Sequence, residues 1–173
     1  MARNPAALGS GRTRTRGAWR IPASIMGGSL IGTLPFVAAF PILPPAGLMM
    51  LLAWRLKRPD AIPSWSALLF GLFDDLLSGQ PLGSAVVLWT LCMLVVDILD
   101  TRLMWRDFAQ NWLIGAGAIA FCLIAGRLLA TAFGAHVDTV LLFQVILSAG
   151  LFPLAMWVCK RIDPVRDRTG EIG

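Results

Sequence analysis

The chain has 173 residues, 57% of them hydrophobic and 14% charged, against about 45–50% and about 25% in a typical soluble domain. With a mean hydropathy of +0.71, this excludes a soluble globular protein and predicts an all-α, polytopic membrane protein. The net charge of +5 does not imply nucleic acid: Arg3, Arg12, Arg14, Arg16 and Arg20 precede the first apolar run with only Trp19 among them, whereas single-strand binding interleaves aromatics with the cations.

Residues 1–20 instead read as a basic cytoplasmic tail under the positive-inside rule, drawn to anionic lipid headgroups by about 1 kcal/mol per basic residue. No charge occurs from residue 21 to residue 54, and one crossing needs roughly 20 apolar residues. The first segment is 21–40, with Pro22 in the first turn, where a missing N–H costs nothing. Pro41, Pro44 and Pro45 break the helix. A short second segment, 46–54, ends at Arg55, Lys57 and Arg58, which are expected to snorkel to the headgroups. The third, 62–77, contains Asp74 and Asp75, and a turn-rich loop follows. The fourth, 84–99, contains Asp97, the fifth, 108–133, contains Arg127, and the sixth is 139–159. Trp19, Trp54, Trp65, Trp105 and Trp112 lie at segment ends, where interfacial rings belong.

Six crossings put fourteen of the fifteen basic residues on the cytoplasmic side and leave only Arg127 over. Merging the first two segments would scatter the basic clusters to both faces. The expected organisation is a tail at 1–20, a six-helix membrane domain at 21–162 with segments two and three short, and a mobile cytoplasmic tail at 163–173.

Ionisable groups inside apolar segments are costly and mark candidate sites. Asp75, or Asp74 beside it, lies at a depth that suits a pair with Arg127; the alternative is that Arg127 snorkels and Asp75 caps helix-end amides near Gly79. Asp97 is expected to reach the interface. Ser24, Gly28 and Gly32 form a small-residue stripe suited to close helix packing, inside the protein or against a partner. Ala118, Cys122 and Gly126 repeat the pattern. Pro153 interrupts the sixth segment and frees the carbonyl of Ala149, so a kink belongs there. The odd count of three cysteines, without CxxC spacing, implies neither a disulfide framework nor a metal site. The single histidine, His136, lies in a short loop, and no nucleophile, metal or phosphate-loop motif is present. No catalytic residue and no cofactor is expected.

The stretch Arg58-Pro59-Asp60, then Pro63, then GLFDDLLSGQPLG at 71–83 resembles the bacterial rod shape-determining protein MreD family. Asp75 stands at the position of that family's acid, with Gly71, Ser78, Gly79, Pro81 and Gly83 around it; Asp74 is an extra acid. Pro153 followed by Lys160 and Arg161 matches the last family segment. The resemblance implies a non-enzymatic inner-membrane subunit of the machinery that builds side-wall peptidoglycan. Its implied partner is MreC, and through it MreB, RodA and the penicillin-binding transpeptidase. It also implies a fold like that of the substrate-binding subunits of energy-coupling-factor transporters. Such a vitamin-transporter subunit is the alternative function, although the outer loops offer few polar groups beyond Gln80, His136 and Asp138.

Overall fold

The run 46–54 is apolar around its whole circumference, and a helix of that kind belongs in a core. In the computed structural model, which describes residues 19–33, 44–78, 82–102, 107–130 and 139–163, that is where it lies. The elements are α1 (Arg20–Gly32), α2 (Ala46–Lys57), a 3-10 turn (Pro59–Ala61), α3 (Ser66–Ser78), α4 (Ser84–Arg102), α5 (Phe108–Ala130) and α6 (Thr139–Ile162). No strand occurs among the described residues. Nine of the twelve α2 residues are buried. Around it α1 packs on α3, α3 on α4, α4 on α5 and α5 on α6, while α2 touches α1, α5 and α6. The Arg20 guanidinium donates to the Ile162 carbonyl at 3.3 Å and closes the ring between α6 and α1.

All six expected segments contain a helix, but their lengths differ. Among the described residues, only α4, α5 and α6 are long and apolar enough to cross a membrane. The 12 or 13 residues of α1, α2 and α3 reach about 18–20 Å at about 1.5 Å per residue, short of an about 30 Å hydrocarbon core. The described part of the first segment ends sooner than expected: α1 stops at Gly32, where the Thr33 N–H and hydroxyl both turn back to the Leu30 carbonyl. The remainder of that segment, 34–40, lies outside the described residues. At the other end, Asp163, the first residue of the expected tail, is instead buried against the end of α2.

The long helices keep most of their apolar surface outside. Only 28% of the α4 span and 17% of the α5 and α6 spans are buried within the protein. Leu94, Ile98, Leu113, Phe143 and Ile146 are among the large exposed side chains. Water would penalise such a surface and lipid does not.

Candidate functional site

The GLFDDLLSGQPLG motif builds the junction between α3 and α4. Gly71 faces the first turn of α4 so closely that a Cβ would lie 2.8 Å from Val86 Cα and 2.9 Å from the Ala85 carbonyl oxygen. Asp75 sits one turn further along α3 and therefore on the same face. It is 2% exposed. Gly83, at φ +99, takes a backbone conformation that glycine adopts without a Cβ penalty. It is also the residue whose carbonyl receives the first α4 bond, from Val87 at 3.0 Å.

A helix start leaves its first N–H groups without intrahelical partners. Asp75 supplies them from the neighbouring helix. Its Oδ2 accepts from the Gly83 N–H at 2.9 Å and the Val86 N–H at 3.2 Å. Its Oδ1 accepts from the Ala85 N–H at 2.9 Å and the Ser84 hydroxyl at 3.1 Å. A carboxylate there also meets the positive end of the helix dipole. Of the two sequence routes for this acid, the structure shows capping: no Asp75–Arg127 pair occurs among the described contacts, and Arg127 is exposed on α5. Asp74, about 100° around the helix, is half-buried. Its carbonyl accepts the Ser78 hydroxyl at 2.8 Å. Gly79, Gln80, Pro81, His136 and Asp138 lie outside the described residues.

The opposite end of the bundle gathers the charges. Arg55 does not snorkel to the headgroups but is 8% exposed, paired with Asp97 and, at 3.3 Å, with Asp100. Asp97, half-buried, also accepts the Ser64 hydroxyl. Arg58 pairs with Asp163 at 2.7 Å. The Lys57 ammonium lies 3.8 Å from the same carboxylate and donates to the Cys159 carbonyl at 3.1 Å. Pro59 opens the 3-10 turn and Asp60 is exposed. The motif's arginine thereby ties the end of α2 to the end of α6.

The small-residue stripe divides. Ser24 accepts the Trp54 indole N–H at 2.8 Å, so Trp54 is a core residue, 1% exposed, rather than an interfacial ring. Gly28 lies against the start of α2, where a Cβ would come within 2.9 Å of the Ala46 carbonyl group. Gly32 faces open space. In the second stripe, the Cys92 thiol approaches the Ala118 carbonyl at 3.6 Å, and the Cys92 and Cys122 sulfurs lie 3.0 Å apart. At the α6 proline, the freed Ala149 carbonyl accepts the Trp112 indole N–H at 2.8 Å. Beside it the Phe152 ring occupies the space that a side chain at Gly115 would need.

Sequence reading missed three of these features: the burial of Arg55 with its acids, the tie from Arg58 to Asp163, and the Trp112 bond. The last had a signal, since Pro153 orphans a carbonyl in a helix that has no water at hand. Chemically, the described polar groups join helices. No group of three or more metal-ligating side chains occurs among the described residues.

A family model for the rod shape-determining protein MreD matches residues 13–160. The chain belongs to the MreD family. Membership assigns it to rod shape determination as a membrane protein. Within this MreD-family chain the motif residues Arg58, Gly71, Asp75 and Gly83 are the ones that fix helix to helix. Neither the comparison with curated proteins nor that with solved structures gives a match.

Proposed function

We propose that this chain acts as a non-enzymatic scaffold of the cell-elongation complex in the bacterial inner membrane, binding MreC and through it coupling MreB, RodA and its transpeptidase. The observation that carries the reading is the cap at Asp75. The most buried acid of the motif has all four of its acceptor sites engaged by the start of α4. An acid so used sets a rigid surface and is not presented to a substrate. The family's role in shape supports the same reading.

The topology that goes with it has six crossings and both termini in the cytoplasm, in an architecture like that of energy-coupling-factor substrate-binding subunits. Its supports are the fourteen basic residues that six crossings collect on one side and the meeting of the ends of α2, α4 and α6 with the start of α1. Membrane-impermeant thiol labelling in a cysteine-free background is expected to modify Gln80→Cys and His136→Cys but neither Ser10→Cys nor Thr169→Cys; the reverse pattern overturns the orientation.

The functional test is depletion. Cells are expected to round up, side-wall peptidoglycan incorporation to fall, and tagged protein from undepleted cells to bring down MreC. Normal shape and incorporation after depletion, with tight retention of a vitamin by the purified protein, overturn the scaffold in favour of a transporter subunit.

A further inference from the structure

Between α4 and α5 runs a groove of about 470 Å³, walled by Leu91, Val95 and Leu99 on one side and by Leu113, Gly117 and Phe121 on the other. Each row advances four residues at a time and so forms a continuous edge along its helix. Leu91, Val95, Leu113 and Phe121 are exposed. The two helices are long and apolar enough to span a membrane, so the slot opens to lipid. Gly117 makes the room: a Cβ there would meet nothing within 4 Å.

Length and charge identify the occupant. Eight residues of each helix span about 12 Å, which is most of one leaflet's half of an about 30 Å core. The groove's end at Leu99 and Leu113 is the end of the bundle where Asp97 meets Arg55, the end that collects the basic residues. Arg102 follows Leu99 by three positions and Gln110 precedes Leu113 by three, so each continues its row beyond the apolar wall. Both are exposed. A cation and an amide donor therefore stand at the mouth of an apolar slot one leaflet deep. Basic groups between membrane helices at this level recognise anionic headgroups.

We propose that the α4–α5 groove holds an acyl chain of an anionic diacyl phospholipid, with its phosphate at Arg102 and Gln110. The slot is too short for the tail of a polyprenyl phosphate, and the apolar face of a partner helix would leave Arg102 without a counter-charge.

Native mass spectrometry of the full chain, titrated with phosphatidylglycerol and with phosphatidylcholine of matched chains, tests this. Phosphatidylglycerol is expected to be retained about fivefold more, the equivalent of about 1 kcal/mol for one basic residue. Arg102→Gln should bring the two lipids level by weakening only the anionic one. Gly117→Leu should fill the slot and cut retention of both at least about fivefold, with an unchanged thermal midpoint, because the new side chain enters open space. Undiminished binding to folded Gly117→Leu protein overturns the proposal. So does a phosphatidylglycerol preference that survives Arg102→Gln, a result that decides the matter even if the glycine variant fails to fold. Displacement of phosphatidylglycerol by equimolar polyprenyl phosphate, or by a single-span partner helix, also overturns it and names the true occupant.

Discussion

Asparagine in place of Asp75 changes one oxygen to an amide nitrogen and nothing else in size. With the nitrogen on the Oδ2 side, both the Gly83 and the Val86 N–H would face a donor. On the Oδ1 side the Ser84 hydroxyl can reverse and accept, so only the Ala85 N–H is stranded. The side chain therefore turns that way, leaving one buried donor at a cost of about 1–3 kcal/mol. Loss of the charge at the helix start adds about 0.3–2 kcal/mol. Asp75→Asn is expected to destabilise by about 2–4 kcal/mol, whereas Asp74→Asn, half-buried beside it, should cost under about 1 kcal/mol. Reversible unfolding in mixed detergent micelles, followed by tryptophan fluorescence, measures both. Double-mutant cycles locate the partner: Asp75→Asn should couple to Ser84→Ala and be additive with Arg127→Gln. Equal costs for the two acids, or coupling to Arg127 without coupling to Ser84, refute capping as the role of the motif's acid.

Gly71→Val should push α3 away from Val86 and cost more than about 3 kcal/mol as backbone contacts are lost, read as failure of the purified protein to elute as a single species. Trp112→Phe strands the Ala149 carbonyl and should cost about 1–2 kcal/mol; Pro153→Ala returns that carbonyl to its own helix, so the double variant should lose less than the sum of the two single changes in the same unfolding assay. Arg55→Met leaves Asp97 and Asp100 without their buried cation and should cost about 3–5 kcal/mol, while Asp60→Asn, exposed, should leave the unfolding midpoint in place.

The membrane class, the order of the segments and the carbonyl freed by Pro153 were legible because each is a local property of the chain. Apolar runs report burial or lipid, and a proline reports its own missing donor. The two motif acids were harder. Asp74 and Asp75 are neighbours in sequence but about 100° apart on the helix, and which one is buried depends on where α4 begins, nine residues beyond Asp75. The positions flanking Asp75 were readable as a motif, yet their spacing alone left both capping and ion pairing open. Arg55 and Asp97 stand 42 residues apart, so nothing in either neighbourhood announces the other. Each read alone as a charge at a segment end, bound for the headgroups. The same holds for α2, whose short apolar run looks like a truncated crossing until its neighbours are seen around it.

That placement of α2 bears on how the protein is made. A helix of 12 residues with an arginine near its end gains too little from lipid to be inserted durably by itself, since stable insertion of a lone helix calls for roughly 20 apolar residues. Its polar end is neutralised by side chains of α4 and by Asp163 at the end of α6, and its apolar flanks are covered in part by α5 and α6, all of which leave the ribosome later. The second of the described helices to be synthesised is therefore among the last to be secured. Until α6 docks, the nascent chain carries an incompletely sheltered hub, and that interval is when membrane insertases and quality-control proteases have their best chance to act on it.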